Sequence, residues 1–128
     1  MALFRRRPAP APVDAPQLVL PRASIDGWTL AGTAIGARLS PADRRELETL
    51  LHSVAVHSDS PWTYERAAAL LEKAGEPGQA LAVLDLWPTR PAAAWPSHAH
   101  ATRGIDKRRA RLRLRSGAEG GGTAAVAG

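Results

Sequence analysis

Among the residues whose types could move protons or hold a metal are the glutamates of the central region, Glu46, Glu48, Glu65, Glu72 and Glu76, and four histidines, His52, His57, His98 and His100. Paired carboxylates act as acid and base only when they share a cleft. These glutamates fall among Arg and Lys on the polar sides of helical patterns, so solvated surface is the expectation. His52 and His57 are five positions apart, about 140° around a helix, and do not converge. His98 and His100 sit in a Pro/Ala-rich stretch. With no cysteine in the chain, disulfides and thiolate chemistry are excluded, and zinc would depend on His and carboxylates alone. "AGTAIGARLS", residues 31–40, has two glycines but no Gly-Lys-Ser/Thr to cradle a phosphate. No catalytic set, metal site or cofactor is expected, and the chain reads as a non-enzyme.

The elements that would position any such residue are better marked. Ser40-Pro41 and Ser60-Pro61 each offer an N-cap followed by a proline suited to the first helical position. Leu47, Leu50, Leu51 and Val54 then recur at i, i+3, i+4 and i+7, as do Tyr64, Ala67, Ala68 and Leu71. Gly75 suits a left-handed helix end, and Pro77 opens another helix whose stripe is Ala80, Leu81, Leu84 and Trp87. The pattern predicts helices over 41–57, 61–74 and 77–87, with a fourth over 98–114. Alanines 67, 68 and 80 let the second and third of these approach closely as an antiparallel pair. Residues 24–39 fit a short β-hairpin, a small-residue helix or a loop.

The ends differ in composition from the body. Residues 8–21 hold five prolines, and residues 116–128 are mostly glycine and alanine. Neither buries enough apolar surface to offset its ordering entropy. The expected division is a basic, Pro-rich disordered segment over 1–23, a helical domain over 24–115 and a disordered tail over 116–128. A unit of this size is marginal by itself, so a partner protein or a homodimer would help it. No apolar run approaches membrane-spanning length and no signal-like segment opens the chain, so no membrane insertion and a cytoplasmic location are expected.

The net charge of +5 is unevenly placed. Residues 5–7 are all arginine, residues 103–115 carry seven positive charges and one negative, and residues 8–102 carry seven basic and ten acidic side chains. Lys107, Arg108, Arg109, Arg111, Arg113 and Arg115 are therefore candidate phosphate contacts for a nucleic acid. As a helix, the same segment puts Ala101, Ile105 and Leu112 on one side, as a structural cap would. Neither an aromatic series for base stacking nor a helix-turn-helix pattern accompanies it. Trp62, Trp87 and Trp95 stand beside prolines. They are candidates for a partner-binding surface, because Trp is enriched at binding hot spots; the plainer role is to cover a small core.

Residues 61–94 resemble one tetratricopeptide repeat, a helical hairpin of 34 residues. Tyr64 stands at the repeat's Trp position, Ala67 and Ala68 at its Leu-Gly, and Leu71 at its Tyr. Gly75 lies at the turn, Ala80 at the Ala and Leu84 at the Phe. Ala67 is small for its site, Trp87 is bulky, and Pro91 comes one residue early. A shift of 34 residues forward brings His98, Ala101, Thr102 and Ile105 into register; a shift backward brings Leu30, Thr33, Ala34 and Ala37, but puts Glu46 at the alanine site. The resemblance implies an all-α architecture of short antiparallel hairpins and a protein–protein interaction module or small adaptor that binds through its helical surface.

Overall fold

The computed structural model describes residues 29–127, with side chains up to residue 115. The segments expected to be tails, 1–23 and 116–128, fall outside the side chains described. Among the described residues the chain is all helical: α1 (Ala34–Ala37), α2 (Pro41–Ala55), α3 (Pro61–Lys73), α4 (Pro77–Leu86) and α5 (Ala99–Ala127), with three short 3₁₀ turns over 87–98 between α4 and α5. None of these helices is long and apolar enough to cross a membrane.

Local chemistry sets the helix ends. Ser40 caps α2, its hydroxyl accepting from the Asp43 N–H at 3.1 Å, and Pro41 follows. Ser60 does not repeat the device: its side chain makes no cap bond, and its N–H instead donates to the Ser58 hydroxyl. The first predicted helix stops short of 57, because His57 takes a left-handed φ of 66° that turns the chain toward α3. Gly75, with φ 77°, supplies the equivalent turn between α3 and α4. There glycine avoids the steric cost that a Cβ brings to this region. Trp87 leaves α4 and starts a 3₁₀ turn, because Pro88 cannot extend an α-helix.

The predicted stripes become one core. Leu47, Leu50, Leu51 and Val54 of α2, Tyr64, Ala67, Ala68 and Leu71 of α3, and Ala80 and Leu84 of α4 are all buried, with Leu70 and Val83 added from flanking positions. The three residues 74–76 fold α4 back on α3, and these two helices pack most extensively. α3 is central, touching α2, α4 and α5.

The stretch 29–39 resolves as a turn and one short helix. Leu30, Ile35 and Leu39 enter the core, and Thr33 caps α1 by accepting from the Gly36 N–H. A Cβ on Gly36 would sit 2.1 Å from the Leu30 carbonyl oxygen, so the glycine is needed for close backbone approach. The turn is fastened to α2 by Glu48, which accepts from the Thr29 hydroxyl, from the Leu30 N–H at 2.6 Å and from Arg44 at 2.8 Å.

Candidate functional site

α5 lies across the α3–α4 hairpin and holds it from both sides. At about 100° per residue, Ile105 and Leu112 point within about 20° of each other, and both are fully buried. Arginines flank this apolar ridge. On the α3 side, Arg108 reaches Glu72 at 2.7 Å, Arg111 reaches it at 3.3 Å and Arg115 at 3.9 Å. On the α4 side, Arg109 and Arg113 meet Asp85 at 2.8 and 2.9 Å, and Arg109 also meets Asp106 of its own helix at 3.1 Å. The Arg109 guanidinium is held above its ordinary pKa, first by its hydrogen bond to Asp85 and then by that to Asp106, against the opposing effect of burial.

Most of the candidate phosphate contacts are thus paired with acids of the protein itself, while Arg111, Arg113 and Arg115 stay half-exposed. Arg108, Arg109, Arg111, Arg113 and Arg115 all face acidic side chains of the hairpin, and Lys107 stands apart on the exposed side of α5. Glu72, expected on a solvated face, is only 16% exposed beneath three guanidiniums. Sequence reasoning missed this role, and the alternation of α5's arginines around its apolar ridge was the signal that could have revealed it.

The three tryptophans do not form one surface. Trp87 is fully buried, which corrects its candidacy as a partner-binding residue. Its ring lies 5.2 Å from Tyr64 and 5.6 Å from His98, centroid to centroid, and its indole N–H donates to the Thr102 hydroxyl at 3.0 Å. A tryptophan so packed is core, with its one polar atom satisfied. Trp62, at the start of α3, is 59% exposed. Trp95 is 46% exposed and stacks on His98, whose Nδ1 lies 3.0 Å from the Ala92 carbonyl oxygen. Val56, at the end of α2, is a further exposed apolar side chain.

Arg90 ties the 3₁₀ segment to the bundle. It donates to the Tyr64 hydroxyl at 2.8 Å and to the Val54 carbonyl at 3.2 Å, while the Tyr64 hydroxyl donates to the Ser58 carbonyl at 2.7 Å. Among the described residues there is no cavity and no group of three or more His, Cys, Asp or Glu side chains placed to hold a metal. No family model matches the chain, and neither a curated protein nor a solved structure matches it.

A second ionic set sits at the α2–α3 interface and predicts an acid dependence of stability. Lys73 meets Asp43 at 2.6 Å, and Arg66 grips Glu46 with two hydrogen bonds at 2.8 and 2.9 Å. Asp43 is lowered from its ordinary 3.8 chiefly by the hydrogen bond from Lys73, and Glu46 from 4.5 chiefly by that from Arg66. Burial pushes Glu48 up, but its bonds from Thr29, Leu30 and Arg44 together bring it below 4.5. Carboxyls lowered in the folded state stabilise it fully above their ordinary values, and that stability is lost as pH falls through the lowered ones. The urea midpoint of the full chain should therefore hold level above about pH 5 and decline below about pH 4.5. In Glu48→Gln part of that decline should disappear. A midpoint unchanged down to about pH 3 would show that these contacts contribute nothing.

Proposed function

We propose that this protein is a non-enzymatic interaction module, a small cytoplasmic adaptor that meets a partner protein, or a second copy of itself, through a tetratricopeptide-like helical surface. The observation that carries the proposal is the exposure of Trp62 and Trp95 on a domain that buries Trp87 completely. Large amphipathic rings left in water are unfavourable there and gain most when a partner covers them, which is why Trp is enriched where binding energy concentrates. The α3–α4 hairpin and the helices packed on it provide a rigid support for such contacts. One hairpin has little concave surface of its own, and a covering partner would supply the missing neighbour.

Nucleic-acid binding is the second reading, favoured by the basic side chains of α5. It is weakened by the engagement of Arg108, Arg109 and Arg113 with Glu72 and Asp85.

The test is to compare the full chain with its Trp62→Ala/Trp95→Ala double variant in a pull-down, with light scattering for oligomeric state. A protein retained by the wild type and lost from the variant, or a homodimer that dissociates on substitution, is the expected result, with cooperative unfolding retained and the melting temperature lowered by at most about 8 to 16 °C. A monomer that retains nothing, or the same proteins in both forms, would overturn the proposal.

A further inference from the structure

The basic side chains of α5 sort into two sets. Arg108, Arg109 and Arg113 make close contacts at 2.7 to 2.9 Å with the acids of the hairpin. Arg103, Lys107, Arg111 and Arg115 follow one another every four residues and are all exposed. On a helix this spacing makes a row about 18 Å long, rising about 6 Å and turning about 40° per step, from the outward side at Arg103 toward the α3 flank at Arg115. Like charges four residues apart repel and work against the helix that carries them.

Little inside the protein compensates this row. Among the described residues, Arg103 and Lys107 meet no acid within ion-pair distance, while Asp106 is taken by Arg109. Arg111 and Arg115 share Glu72 at 3.3 and 3.9 Å, but Arg108 already occupies that carboxylate at 2.7 Å. One negative charge thus faces three guanidiniums. Leu114, two turns beyond Lys107 and therefore on the same outward side, is 75% exposed, and Ala110 is exposed one turn before it.

We infer that the outward face of α5, formed by Arg103, Lys107 and Leu114 and bordered on the α3 side by Arg111 and Arg115, is a docking surface for an acidic polypeptide segment that carries apolar side chains. The row of cations asks for a series of anions, and charge complementarity of this kind governs partner choice and association rate. Leu114 decides between polyanions. A phosphate backbone offers an exposed leucine no apolar contact, whereas an amphipathic acidic segment offers carboxylates to the row and an apolar side chain to Leu114. This surface uses none of the residues proposed above for the tryptophan contact, so the two proposals can fail separately.

The experiment titrates the full chain into a fluorescent synthetic peptide of glutamate and leucine in helical register, and in parallel into single-stranded and duplex oligonucleotides. The peptide should bind with an affinity that falls as salt rises. Arg103→Ala/Lys107→Ala should weaken it about tenfold, and Leu114→Ser should weaken it by about as much again. Melting temperature should barely move in either variant, because all three side chains point to solvent. No peptide binding at physiological salt would overturn the inference, as would equal binding by the variants. An oligonucleotide held more tightly than the peptide and indifferent to Leu114→Ser would overturn it in favour of nucleic acid.

Discussion

Ile105→Asp and Leu112→Asp should each lower the melting temperature of the full chain by tens of degrees, or abolish its cooperative unfolding. Both side chains are fully buried where α5 meets the α3–α4 pair. Removing either forfeits about 1.5 to 3 kcal/mol of apolar burial. The new carboxylate would enter the core without a partner, or fold only when protonated, and either route adds more. A combined loss above about 3 kcal/mol is a large share of the roughly 5 to 15 kcal/mol that holds a domain together. In a domain this small, about 1 kcal/mol moves the melting point by about 4 to 8 °C. The flanking ion pairs predict a contrasting result. Arg113→Ala removes a half-exposed contact to Asp85 and should cost no more than about 1 kcal/mol. Circular dichroism melts of the three variants provide the comparison. A Leu112→Asp protein that melts within a few degrees of wild type would mean that α5 adds little to the fold.

The legible part of this fold is the part in which each helix declares itself locally. Pro41, Pro61 and Pro77 open α2, α3 and α4 in the structure, and the stripes read from spacing become buried except for Leu81, which is only partly covered. Gly75 takes the positive φ expected of it. Ile105 and Leu112, seven apart, likewise reveal the inner side of α5 before any coordinate is known. The stretch 29–39 was not legible, because four helical residues carry too little periodicity. Its form is set by tertiary contacts, with Glu48 fastening Thr29 and Leu30 and Gly36 lying against the Leu30 carbonyl.

Ion pairs between helices were hidden for a related reason. Glu72 and Arg108 are 36 residues apart, and their meeting depends on where α5 crosses the hairpin, which no single stripe reports. Composition also concealed which tryptophans face solvent. Spacing did distinguish them: Trp87 continues the stripe of Ala80 and Leu84, whereas Trp62 and Trp95 belong to none.

Trp87 carries the other large expected effect. Trp87→Ala should destabilise the domain by about 3 to 5 kcal/mol, the cost typical of emptying a buried aromatic site. Three elements lean on this ring. Tyr64 packs on it from α3, His98 from the last 3₁₀ turn, and Thr102 of α5 accepts its indole hydrogen at 3.0 Å. The cavity would therefore open where the hairpin, the 3₁₀ segment and α5 converge, and relaxation at one wall would pull on the other two. Trp87→Phe should restore most of the packing, leaving a deficit of about 1 to 2 kcal/mol for the lost hydrogen bond and ring volume. Trp62→Ala and Trp95→Ala, at half-exposed sites, should each cost about 1 kcal/mol or less. Urea unfolding of the four variants tests this ranking, and the folded-state tryptophan emission should lose its most blue-shifted component only when residue 87 is changed. If Trp87→Ala proved no worse than Trp62→Ala, the ring would not join these three elements, and its burial could no longer explain why α5 stays on the hairpin.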